Sequence, residues 1–247
     1  MLENKVAIIT GASSGIGRAA ALLFAAQGAA VVVNARGAEP LQTVVEEIEA
    51  AGGRAVAIAG DVSDDETHER LVGTAKERFG GLDIALNNAG AVVSYKPLVE
   101  LTPQEWLETL AVNLTSAFLG ARRQIPAMLE RGSGSIIFTS TFVGTSAGIP
   151  NMAAYGSAKA GLMGLVKGIT ADYGSQGIRA NALLPGGVDT PAAGDQAQKE
   201  WAAGLHALKR IAQPEEIAQA ALFLAGPMAS FVAGTVLFAD GGNAAVK

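Results

Sequence analysis

The chain has 247 residues, 49% hydrophobic and 17% charged, with a formal net charge of -5. That length and apolar content can bury one large α/β core, which excludes a chain disordered throughout, and the charge gives no footprint for nucleic acid or an anionic membrane. With no cysteine and only His68 and His206 to offer imidazole, disulfides, thiolate zinc sites and a Cys nucleophile are excluded, and no metal site is expected.

In chain order, "KVAIIT" reads as a strand, Gly15 to about Gln27 as a helix, "AAVVVNA" as a strand, "LQTVVEEIEAA" as a helix and "RAVAIAGDV" as a strand. The rhythm continues through a helix over "DDETHERLVGTAKERFG", a strand at "LDIALNNAG", one long helix over "PQEWLETLAVNLTSAFLGARRQIPAMLERG" and a strand at "GSIIFTST". A helix around Tyr155, the strand "IRANALLPGG", the helix "PEEIAQAALFLAG" and the strand "GTVLFADGG" complete it. Strands that are apolar throughout and alternate with helices indicate a parallel sheet covered on both faces. The expected architecture is a single α/β, doubly wound Rossmann-type domain over residues 1–247, with about seven parallel strands and helices on both faces. The least regular segment, residues 189–210, is expected to be a substrate lid. The four-residue apolar run before Thr10 is too short for a signal peptide, and no later run is long enough to span a membrane, so a soluble, cytoplasmic protein is expected.

Two stretches carry chemistry. After the first strand, "TGASSGIGRAA" sets Gly11, Gly15 and Gly17 at a helix start, where glycines permit a tight turn and free N–H groups with the helix dipole attract a pyrophosphate. The spacing G-x-x-x-G-x-G departs from the general G-x-G-x-x-G pattern. In "AAYGSAKAG", Tyr155 and Lys159 fall one turn apart on one helix face, so a cation could act on a phenol. Taken alone, such a pair is more often a snorkelling Lys and an interfacial Tyr.

Read together, "TGASSGIG" at 10–17, "GDV" at 60–62, "NNAG" at 87–90, Asn113, "YGSAK" at 155–159 and "PGGVDT" at 185–190 resemble the classical short-chain dehydrogenase/reductase family, over nearly the whole chain. The resemblance implies a nicotinamide dinucleotide held by Gly11, Ser13, Ser14, Gly15, Ile16 and Gly17, with Asp61 and Val62 flanking its adenine. It also implies that the stretch Asn87 to Gly90, Ala89 within it, lies along the cofactor, that Tyr155 and Lys159 touch it, and that Pro185, Gly186, Val188 and Thr190 cover its nicotinamide side. Asn113, Thr141, Tyr155 and Lys159 would be the catalytic set, with Tyr155 as acid/base, Lys159 lowering its pKa, and Asn113 holding a water that relays protons. The family's usual Ser is replaced: counting Ser-x-x-Gly back from Gly144 selects Thr141, with Ser140 just before it as the alternative hydroxyl. Where the family's NAD enzymes carry an acid, this chain has Ala35 followed by Arg36, a good phosphate partner. NADP(H) is therefore expected, with NAD(H) left open.

The expected function is an NADP(H)-dependent oxidoreductase interconverting a ketone or aldehyde and an alcohol. A second reading is a non-catalytic dinucleotide sensor, which would have no need to keep Tyr155, Lys159 and Asn113 together. A 3-oxoacyl-acyl carrier protein reductase is disfavoured by Pro126 and Gln176, which stand where those enzymes carry docking arginines, although Arg122, Arg123 and Arg131 are nearby. Epimerases of the extended branch usually carry a larger C-terminal domain, absent here. Apolar residues over much of the long helix and the Tyr155 helix suggest subunit interfaces, by resemblance in a homotetramer. The neutral loops at 145–152 and 189–207, with Trp201 and Leu205 as candidate lid contacts, suit a small-molecule carbonyl or alcohol without strong negative charge.

Overall fold

In this computed structural model, which describes residues 1–246, the five central strands of the sheet are buried over nearly their whole length because each offers apolar side chains to both faces, while the two edge strands are only partly covered. In β1 (Val6–Thr10), Val6 and Ile8 enter one apolar layer while Ala7 and Ile9 enter the other. The period-2 alternation of a strand thus divides one apolar run between two cores. The same division recurs in β2 (Ala30–Ala35), β4 (Ile84–Asn87), β5 (Gly134–Thr139) and β6 (Ile178–Pro185). With β3 (Arg54–Ala59) and β7 (Val236–Ala239) they form a seven-stranded, all-parallel sheet in the order β3-β2-β1-β4-β5-β6-β7.

One face is covered by α1 (Gly15–Ala26), α2 (Ala38–Ala50) and α8 (Pro214–Ala225). Alanines dominate where α1 meets α8, with Ala20, Ala21, Ala218 and Ala221 fully buried, so the two backbones approach closely. The other face is covered by α3 (Asp65–Phe79), α5 (Ser116–Glu130) and α6 (Ala153–Tyr173).

The helix ends follow local chemistry. In α4 (Pro103–Leu110), Thr102 accepts from the Glu105 N–H at 3.1 Å while Glu105 returns a bond to the Thr102 N–H, a capping box with proline at the first helical position. α3 begins with Asp65 and Glu66 and ends at Gly80 in the left-handed region, φ +85°. The expected single helix over 103–131 is interrupted: a π-helical turn, Ala111–Thr115, joins α4 to α5 and carries Asn113. The segment after β6 is more regular than its composition suggests. It contains α7 (Gln196–Gly204), capped by reciprocal bonds between Asp195 and Gln198. Among the described residues, no helix is long and apolar enough to cross a membrane.

Candidate active site

The sheet order reverses between β1 and β4, so the connections leaving these neighbouring strands diverge and a crevice opens above their C-terminal ends. A cleft of about 620 Å³ occupies it, reaching from the ends of β2 and β3 to the ends of β5 and β6.

The turn after β1 is pinned from below. Thr10 Oγ1 accepts the N–H groups of Asn88 and Ala89, both at 3.0 Å, and the Asn88 amide donates to the Thr10 carbonyl at 3.1 Å. Gly11 has φ +66°, and a Cβ there would press on the Ala89 backbone at 3.0 Å. A Cβ on Gly17 would overlap the Gly11 carbonyl, so these two glycines let the first turn of α1 fold onto the loop. Ser14 is the extended N-cap of α1, its hydroxyl makes no capping bond, and no acid sits in the first turn. The leading N–H groups of α1 are thus left uncapped by side chains and border the cleft, a cradle that fits the pyrophosphate of a dinucleotide. At the far end the cleft is bordered by exposed Arg36, which makes no ion pair among the described residues, and by Asp61 and Val62.

The opposite end gathers the expected catalytic side chains. Gly144, φ +81°, closes the turn after β5, and a Cβ on it would overlap the Gly156 backbone at the start of α6. That close approach fixes Thr141 relative to Tyr155, both of which line the cleft. Ser140 Oγ donates to the Lys159 carbonyl at 2.9 Å, so its hydrogen is engaged, whereas Thr141 Oγ1 only accepts from the Val143 N–H at 3.3 Å. Lys159 is 3% exposed, donates through Nζ to the Thr139 carbonyl at 2.8 Å, and lies 5.9 Å from the Tyr155 ring centroid.

Burial pushes the Tyr155 hydroxyl up to about 12 and the Lys159 ammonium down to about 8. The expected lowering of Tyr155 by Lys159 is therefore outweighed in the protein alone, where loss of water governs both groups.

Three of the expected site residues do not line the cleft. Gly17 packs behind the turn. Asn87 points the other way and pairs its amide with Gln124 through two bonds of 3.0 Å. Asn113 lies 1% exposed, its amide donating to the Ala91 and Thr109 carbonyls at 2.7 and 3.0 Å and accepting from the Ala91 N–H at 3.1 Å. Its side chain thus ties the π turn to the loop after β4. The other expected residues all line the cleft, from Gly11, Ser13, Ser14, Gly15 and Ile16 to Ala89, Gly90, Pro185, Gly186, Val188 and Thr190. Asn88, within the expected Asn87 to Gly90 stretch, also lines it, as do Pro191–Ala193, which sequence reasoning did not single out. Of the two adjacent asparagines, the one that follows the buried strand position faces the cleft.

Trp201, 57% exposed, and Leu205 do not line the cleft. The 189–210 segment is held instead by a Lys199–Asp189 ion pair of 2.7 Å and by His206. The His206 ring takes the Gly187 N–H on Nε2 at 2.9 Å and sits 2.7 Å from the Ala202 carbonyl through Nδ1, so it straps α7 to the Pro185–Val188 turn. His206→Leu keeps apolar volume but loses both bonds, a cost of about 2 kcal/mol and about 4–8 °C in thermal midpoint. Limited proteolysis should then cut first between residues 189 and 205.

A family model described as enoyl-(acyl carrier protein) reductase matches residues 11–244. The chain is 40% identical to cyclohexanol dehydrogenase of Acinetobacter sp. (strain SE19), covering 97% of this chain and 94% of the relative. It is 39% identical to 2,5-dichloro-2,5-cyclohexadiene-1,4-diol dehydrogenase of Sphingobium indicum (strain DSM 16412), over 99% of both chains. The structure superposes with a TM-score of 0.92 on 7α-hydroxysteroid dehydrogenase complexed with NADH and 7-oxo glycochenodeoxycholic acid, 35% identical, covering 98% of this chain and 94% of that one.

Proposed function

The chain belongs to the classical short-chain dehydrogenase/reductase family, oxidoreductases that interconvert alcohols and carbonyls with a nicotinamide dinucleotide, and on that premise we propose an NADP(H)-dependent enzyme acting on neutral secondary alcohols and their ketones. The observation that carries this reading is the convergence of Tyr155, Lys159 and Thr141 on a cleft that continues to the uncapped N-terminus of α1. Residues 11–16 would hold the pyrophosphate, Asp61 and Val62 the adenine end, and Gly186, Val188 and Thr190 the nicotinamide end. When bound, the nicotinamide supplies or accepts the hydride, and its oxidised form adds a positive charge to the site.

Tyr155 gives its phenolic proton to the carbonyl oxygen during reduction and takes it back during oxidation. Its hydroxyl, raised to about 12 by burial, carries that proton throughout the neutral range in the free enzyme. Thr141, whose hydrogen is free, donates to the substrate oxygen as charge develops there, and Ser140 braces Lys159 instead. Lys159 stabilises the tyrosinate by its charge. Asn113, with its amide bound to Ala91 and Thr109, acts by holding the loop after β4, and any water relay through it would use its peptide group.

Among the cleft-lining residues, Arg36 and Asp61 lie at the adenine end and only Lys159 is charged near Tyr155, which supports a neutral substrate. The relatives' alicyclic alcohols supply the size class. Arg122 and Arg123 are engaged with Asp65, and Arg131 with Asp83, so the nearby arginines offer little free charge to an acidic carrier protein. Exposed Arg36 at the cleft border would take the ribose 2′-phosphate, and Arg36→Leu should lower kcat/KM for NADPH about 10–100-fold while changing NADH by only a few-fold. Steady-state rates with both coenzymes check this.

The segment 189–210 serves as the lid of a single domain. Exposed Leu107 and Phe118 on α4 and α5, and Met228, Phe231 and Phe238 around β7, form two separate apolar faces that suit a homotetramer. A cytoplasmic location belongs to the same proposal. The test is coenzyme turnover by the purified protein with cyclic ketones, aldehydes, 3-oxoesters and 3-oxoacyl groups on acyl carrier protein in parallel. Turnover confined to 3-oxoacyl substrates on the carrier would overturn the substrate class.

A further inference from the structure

The turn between β3 and α3 borders the cleft with Asp61 and Val62. Upstream it is anchored at Gly60, whose carbonyl accepts from the Asn34 amide at 3.2 Å. Within the turn, the Ser63 N–H donates to Asp61 Oδ1 at 2.8 Å and the Asp64 N–H to the Asp61 carbonyl at 3.2 Å. These two bonds shape the turn but leave it free to move as a unit. Among the described residues, the only side chain from outside that bonds Asp61, Val62 or Ser63 is that of His68, whose Nε2 lies 2.8 Å from the Val62 carbonyl. That oxygen can only accept, so Nε2 carries the hydrogen and donates it.

His68 lies on α3, 1% exposed, and its ring is fixed from the far side as well. A Cβ on Gly120 of α5 would sit 3.2 Å from His68 Cε1, so glycine there lets α5 close onto the ring. On the outer surface Arg123 of α5 bonds Asp65 and Glu69 of α3, each at 3.1 Å. The ring is thereby held between two helices that are locked to each other. Burial lowers its pKa and keeps it neutral. With Nε2 donating, Nδ1 is a bare acceptor, and it is buried without a partner. An unmet buried nitrogen costs about 1–3 kcal/mol, which an apolar side chain would avoid. What histidine supplies here, and leucine cannot, is the bond to the turn.

We propose that His68 is a positioning residue for the coenzyme, holding the Val62 carbonyl so that the Asp61–Val62 turn is already set to receive the adenine. The proposal rests on the reading of Asp61 and Val62 as the adenine end of the cleft. The Val62 N–H bonds nothing among the described residues and is available to a ring nitrogen. A peptide held from below costs less to order when the coenzyme binds. Without the Nε2 bond the Val62 carbonyl has to turn toward water, and the N–H and the Asp61 carboxylate move with it. The effect falls on binding and spares the chemistry, because Tyr155, Lys159 and Thr141 lie at the opposite end of the cleft.

Three variants and two readouts test this. His68→Gln places an amide N–H near the Nε2 position, His68→Asn carries the same amide too short to reach Val62, and His68→Leu has no donor. The Kd for NADPH, from its fluorescence, should rise about 5–10-fold in His68→Asn and His68→Leu and return to within about two-fold of wild type in His68→Gln. Displacement of NADPH by adenosine 2′,5′-bisphosphate, its adenine half, should weaken by the same factor. Turnover of a cyclic ketone at saturating NADPH should stay within about two-fold throughout. If His68→Leu does not fold, His68→Asn against His68→Gln carries the comparison. An unchanged Kd in His68→Asn, an equal loss in His68→Gln, or a fall in kcat matching the loss of binding overturns the positioning role. Wild-type NADPH that is displaced neither by the bisphosphate nor by 5′-AMP would sink the adenine reading and the proposal with it. Displacement that is equal in wild type and His68→Asn would leave that reading standing and the positioning role refuted.

Discussion

Tyr155→Phe is expected to lower turnover in both directions by about 10²–10⁴-fold while leaving coenzyme affinity nearly unchanged. Phenylalanine keeps the ring that lies 5.9 Å from Lys159 Nζ, so the packing of α6 against the Gly144 turn survives. What disappears is the hydroxyl acidic enough to transfer its proton to a carbonyl in the cleft. Thr141 cannot replace it, because an aliphatic hydroxyl is far too weak an acid to release a proton near neutrality. The two effects separate in a coenzyme fluorescence titration run beside steady-state rates. Loss of binding together with turnover would instead point to a structural role for the hydroxyl.

Lys159→Met should remove activity and stabilise the fold. The ammonium is 3% exposed, and its fall from an ordinary 10.5 to about 8 corresponds to a burial penalty of about 3 kcal/mol. Methionine avoids that penalty but leaves the Thr139 carbonyl without its 2.8 Å partner, at about 1 kcal/mol. The net gain is about 2 kcal/mol, or about 4–8 °C in the thermal midpoint. The sign with pH is fixed by linkage. Below pH 8 lysine is protonated in both folded and unfolded chains, so the wild type bears the full penalty. Between about 8 and 10.5 the unfolded chain binds more protons than the folded one, so wild-type stability rises with pH and the variant's advantage shrinks. Thermal melts of both proteins across that range check it. A variant less stable than wild type at neutral pH would mean that Lys159 is there for the fold.

Much of this architecture was legible because the strands are apolar on both faces, which only a parallel sheet covered on two sides requires. The π turn was not. Nothing in "LETLAVNLTSA" marks a break, since neither proline nor glycine is present, and the turn is coupled to a bond between Asn113 and Ala91 that crosses from another element. Helix α7 was obscured by its small and polar residues, although Asp195 three positions before Gln198 was a readable capping signal. The candidate site was legible as motifs and less so as roles. Two adjacent asparagines separate at the end of β4, Asn87 turning to Gln124 and Asn88 to Thr10, because strand direction alternates the faces they address. Ser140 and Thr141 divide in the same way, one bracing Lys159 and the other lining the cleft with a free hydrogen. The orphaned nitrogen of His68 had no sequence signal, since burial and pairing decide it.

The most direct measurement is the oxidation of NADPH by the wild-type protein with a cyclic ketone, followed through the nicotinamide absorbance. Steady, substrate-dependent oxidation, with the corresponding alcohol recovered as product, is the expected result. Tight NADPH binding without turnover on any carbonyl would contradict the enzyme reading and leave a dinucleotide-binding sensor.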